Sequence, residues 1–136
     1  MKRTLAVAGL LGPAVLLGLA GSFGAALTAP SALAHHSFAM FDRTREVTVT
    51  GTVKEFQWSN PHAYIQLTAK NAAGADVEWS LEMGSPMYLY ARGWRPRTLR
   101  PGTQVRIRLN PLRSGAAGGV VLEVDDMDGK SIGTNQ

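Results

Sequence analysis

An apolar run from Leu5 to Ala29 follows Met1-Lys2-Arg3-Thr4, and from Val47 onward it gives way to short segments in which apolar residues recur at every second position. The two patterns ask for different surroundings. A basic start followed by a continuous apolar run is the form of an export signal, whereas period two marks strands with one buried face. The run ends at Ala32-Leu33-Ala34, a small-x-small site of the kind a signal peptidase accepts, with Pro30 discouraging helix from entering it. Residues 1–34 are therefore expected to be a removable signal peptide. The working protein would begin at His35, periplasmic or secreted, with no stable membrane anchor after processing. An uncleaved anchor is the competing reading, since the run is long enough to span a bilayer. Its Gly and Pro interruptions and the Ala-Leu-Ala site weigh against that.

The period-two pattern predicts five strands. Val47–Trp58 is the first, with Gly51 a bend or bulge, because a glycine inside a strand packs no side chain. Ala63–Ala69 follows, with Ile65 and Leu67 inward, then Asp76–Met83, with Val77, Trp79 and Leu81 inward and Asn71 to Gly74 turning between them. Gln104–Leu109 is the fourth. Val120–Val124 is the fifth, with Val120 and Leu122 inward, and the Gly/Ala-rich stretch from Ser114 to Gly119 is a flexible loop before it. One helix is expected between strands three and four, with Ser85 as N-cap, Pro86 at its first position, Met87 to Arg92 as its body and Gly93 as its stop. Three strands, a short helix and two more strands is the order of an all-β, five-stranded OB-fold-like small barrel, a plain sandwich being the alternative. Its expected limits are residues 47–127, between an N-terminal arm at 35–46 and a flexible C-terminal tail at 128–136 that lacks apolar periodicity.

Composition narrows what such a domain can do. The chain has 136 residues and no cysteine, so disulfides, thiolate metal sites and cysteine nucleophiles are excluded. Without the leader, 12 basic residues face 10 acidic ones, a formal charge of +2 instead of +4. That near balance, with no basic run interleaved with aromatics, argues against a nucleic-acid partner.

The residues His35-His36-Ser37-Phe38, Gly51-Thr52-Val53, Phe56-x-Trp58-x-Asn60-Pro61-His62, Trp79-x-x-Glu82, Ser85-Pro86, Arg92-Gly93-Trp94 and Leu99-x-Pro101-Gly102 together resemble DUF6152, a family of small secreted bacterial proteins of unknown function. The resemblance spans nearly all of the chain after residue 34 and implies an extracytoplasmic domain, without naming a reaction.

Chemistry has to come from the three histidines, His35, His36 and His62. A first-residue histidine carries an amine and an imidazole on one residue and can chelate a metal without help from the fold, and His36 adds a second imidazole. Nitrogen donors suit Cu(II), high in the divalent affinity series, so copper is the expected ion and zinc the second choice. Keeping Ile65 opposite Leu81 sets Tyr64 opposite Glu82 and His62 diagonally beside Glu82, so the expected metal residues are His35, His36, His62 and Glu82. The plainer readings are a disordered histidine pair that binds metal weakly, a packing histidine at 62, and a solvated Glu82 or one paired with Arg106 or Arg108. A Cu(I) set of Met83, Met87 and Trp58 lacks ligand spacing. Met87 reads as core filler, and the three tryptophans as barrel and rim packing. No nucleophile, base and orienting group assemble, so an enzyme is not expected. The alternative to a metal-binding module is a metal-free interaction domain docking an envelope protein, a saccharide or another envelope ligand.

Overall fold

The computed structural model describes residues 38–135; the expected leader, His35 and His36 lie outside them. Six strands form one sheet: β1 (Val47–Gln57), β2 (Tyr64–Lys70), β3 (Asp76–Glu82), β4 (Gln104–Pro111), β5 (Gly118–Asp125) and β6 (Ser131–Thr134), with α1 (Pro86–Ala91) between β3 and β4. β1 is shared between two partners. Its first half, Val47 to Thr52, pairs antiparallel with β4, and its second half, Gly51 to Gln57, pairs antiparallel with β2. β3 then pairs in parallel with β5 through Ser80 and Gly118, Leu81 and Gly119, and Glu82 and Val120, closing the sheet on itself. The cyclic order 1-2-3-5-4 with a helix between β3 and β4 is the expected small barrel. Closure covers the end of β3 with β5 and leaves β6 as the outer strand of the sheet.

Local chemistry accounts for the elements. β-branched and aromatic residues alternate with polar ones along β1 to β3, and the Asn71 side chain accepts from the Ala73 and Ala75 amides, fixing the β2–β3 turn with Gly74 at φ 79°. Ser85 accepts from the Tyr88 amide at 3.4 Å, Pro86 needs no donor in the first turn, and Gly93 at φ 88° ends the helix. Val53, Ile65, Leu67, Leu81, Ile107 and Val124 fill the barrel, and Trp94 and Leu89 plug it beside α1. Each fully buried side chain of this kind contributes about 1.5–3 kcal/mol.

Three expectations are corrected. The β1 bulge falls at Lys54, between Val53 and Glu55, and Gly51 serves a different need: a Cβ there would lie 2.5 Å from the Thr68 carbonyl oxygen. β5 starts at Gly118, and its inward residues are Val121 and Val124 instead of Val120 and Leu122, because a register irregularity after Arg108 offsets the β4–β5 alternation. The tail does not fray as a whole. Ser131–Thr134 forms β6 on β5, and Gly133 lies so close to Trp94 that a Cβ would meet the indole at 2.8 Å. Four residues with one apolar side chain, Ile132, carry too little periodicity to reveal a strand. The described part of the arm is also anchored. Phe38–Met40 forms a 3-10 turn, Phe41 is buried and bridges Leu112, and the Asp42 amide donates to the Pro111 carbonyl. No helix among the described residues is long and apolar enough to cross a membrane.

Candidate functional site

At the end of β3 a cleft of about 360 Å³ opens between the barrel wall and α1, lined by His62, Glu82, Met83, Gly84, Ser85, Tyr88, Val120 and Asn135. The strands position its polar centre. Tyr64 faces Glu82 across the β2–β3 ladder, as the expected register requires, and places His62, two residues before β2's first rung, beside the Glu82 carboxylate. His62 Nδ1 contacts Glu82 Oε1, and the Tyr64 hydroxyl donates to the other carboxylate oxygen at 3.3 Å. The side chains of His62 and Glu82 are 38% and 18% exposed, so the pair is half-withdrawn from water and still reachable. Glu82 is not a partner of Arg106 or Arg108. Arg108 instead bridges Glu46 and Glu123, each at 2.9 Å.

Two consequences follow for protons. With Glu82 as a carboxylate, Nδ1 of a neutral His62 carries the hydrogen, and Nε2 keeps its lone pair. Nε2 has no hydrogen-bond partner among the described residues. The Tyr64 phenol is pushed above its ordinary range, first by burial and then by the Glu82 charge and hydrogen bond.

Asn135, which nothing in the sequence pattern singles out, finishes the cleft wall. Its side chain accepts from the Gly84 amide at 2.7 Å and donates to the Val121 carbonyl at 3.0 Å, and its own amide donates to the Leu122 carbonyl. It fills the gap along β5 between the last rung of β3 at Val120 and the nearest rung of β6 at Glu123. Tyr88 reaches the Asn135 carbonyl through its hydroxyl, and the Arg92 guanidinium lies 3.5 Å over the Tyr88 ring.

The remaining expected residues fall elsewhere. Met87 is 83% exposed and fills no core. Met83 is buried beside the cleft, and Trp58 packs against the barrel next to Phe56. His62 and Glu82 are thus brought together, while His35 and His36 lie outside the described residues; among those described, no three His, Asp or Glu side chains gather as a metal would need. A wider groove of about 620 Å³ crosses the barrel between β1 and β2, where the nearby cations are already paired, Lys54 with Glu78 and Lys70 with Asp76.

The molecule is a small closed β-barrel with an imidazole–carboxylate pair set in a cleft between strand and helix. The model of a family of unknown function, DUF6152, matches residues 25–122, and the chain belongs to that family. No curated protein and no solved structure matches it.

Proposed function

We propose that the protein is an extracytoplasmic metal-binding module that takes Cu(II) through the amine and imidazole of His35 after leader removal, with His36 or the Nε2 of His62 completing the nitrogen set. The observation that carries this reading is the contact of Glu82 with His62 Nδ1. A carboxylate on one ring nitrogen fixes the tautomer and rotation of the imidazole and leaves the other nitrogen as a ligand, the usual support for a metal-binding histidine. Glu82 is thereby assigned as orienting partner instead of direct ligand. Copper is favoured by the nitrogen donors and the absence of thiolate.

The anchored arm keeps closure within reach. Phe41 sits beside Leu112, Leu112 donates to the Gly118 carbonyl, and Gly118 is two residues before the Val120 that faces Glu82. That path is on the order of 15 Å by strand spacing and rise. From Phe41 back to His35 the 3-10 turn rises about 2 Å per residue and the three residues before it add up to about 10 Å when extended, together about 16 Å. Ordering the lead costs entropy that the metal bonds must exceed.

Native protein starting at His35, a version with one added residue before His35, and His62→Ala and Glu82→Gln variants are titrated with Cu(II) and followed by electron paramagnetic resonance. The added residue and His62→Ala are each expected to weaken binding and change the spectrum, and Glu82→Gln to cost about 10- to 100-fold in affinity. Unchanged affinity and spectrum in all variants would leave only adventitious binding and return the protein to a metal-free docking role.

A further inference from the structure

The near balance of charge after residue 34, 12 basic residues against 10 acidic ones, conceals a sharp segregation. Between Glu82 and Glu123 there is no acidic residue and there are seven arginines. Arg108 and Arg113 face acids contributed from elsewhere, Glu46, Glu123 and Asp42. Four others, Arg92, Arg95, Arg97 and Arg100, fall within nine residues just after α1, and all four are exposed. Among the described residues Arg95, Arg97 and Arg100 have no acidic partner.

Apolar and aromatic groups stand beside these cations. Met87 and Tyr90 on α1 are 83% and 58% exposed. The Arg95 guanidinium lies 3.7 Å over the Tyr90 ring while donating to the Tyr90 and Trp94 carbonyls, just as Arg92 covers Tyr88. The segment is held from beneath by buried Leu89, Trp94 and Leu99, so the exposed set is presented by a fixed backbone. Along the chain Tyr88 and Tyr90 precede Arg92 and Arg95, with Trp94 between the two arginines, and the fold lays each tyrosine against an arginine that follows it.

We propose that α1 and the segment through Arg100 form a peripheral docking surface for an anionic phospholipid bilayer, with the arginines on lipid phosphates and Met87 and Tyr90 entering the headgroup layer. The planar guanidinium pairs bidentately with phosphate, and tyrosine favours the boundary between water and hydrocarbon. Each arginine near such a surface is worth about a fivefold gain in partitioning. A single-stranded nucleic acid fits less well, because base stacking needs open ring faces and a face of each tyrosine is covered by its arginine. The surface is independent of the metal reading and acts without metal.

The metal-free protein from His35 is sedimented with vesicles of phosphatidylcholine alone and of equimolar phosphatidylcholine and phosphatidylglycerol. Binding is expected only to the anionic vesicles, and to fall as salt rises. Arg97→Gln with Arg100→Gln is expected to lower it about 25-fold, by the fivefold contribution of each arginine. Met87→Ser with Tyr90→Ser is expected to weaken vesicle binding while leaving retention on a soluble polyanion, heparin, unchanged. Circular dichroism checks that the variants fold, and His62→Ala is expected to bind vesicles like the parent. Equal binding to both vesicle types, no loss in either double variant, or equally tight binding of an oligothymidylate would overturn the proposal.

Discussion

Tyr64 is the residue whose ionisation reports most directly on the cleft. Burial and the Glu82 carboxylate both favour the neutral phenol, so its folded pKa lies above that of the unfolded chain. The resulting stabilisation is present in full below the ordinary phenol value near 10 and is lost as pH rises through the higher folded value. An absorbance titration should show Tyr64 ionising above the ordinary range. In Glu82→Gln the shift should shrink without vanishing, because burial, the larger cause, remains. Tyr64→Phe should flatten part of the alkaline fall in urea midpoint; an identical pH profile in that variant would show that the phenol carries no such linkage.

The element of most consequence for stability is the one hidden in the tail. β6 covers Trp94, whose indole donates to the Thr134 carbonyl at 3.0 Å, and the cover fits because Gly133 has no side chain. Gly133→Ala would force a methyl against a buried ring that cannot swing away. It is expected to lower unfolding free energy by about 1–3 kcal/mol, read as a drop in urea midpoint by tryptophan fluorescence. The first four strands and the helix were legible because their signals are local: alternation in Ile65, Leu67 and Leu81, the Asn71 to Gly74 turn, and Ser85-Pro86 with Gly93. The same alternation gave the rung that joins His62 to Glu82. What escaped depends on distant partners. The facing of β5 is set by an irregularity in its pairing with β4, β6 by a tryptophan some forty residues earlier in the chain, and Asn135 by a gap between two strands that no local pattern describes.

At the scale of the molecule, the barrel is a ring whose members were made at different times. The arm is pinned to it at one buried side chain, and Phe41→Ala is expected to cost about 3–5 kcal/mol in urea unfolding; a loss below 1 kcal/mol, by the ordinary spread for surface changes, would show that the arm rests on the barrel without anchoring it. The seam from Ser80 to Gly118 has a further consequence. A ribosome delivers the chain from its amino end, so every strand through β4 exists before the ring can shut. Until Gly118 to Val120 emerge, β3 and β4 each present an unpaired margin, and pairings between residues so far apart form slowly. The half-made protein is thus a curled open ribbon, vulnerable to joining its neighbours, and the last strands to be synthesised turn it into a closed vessel.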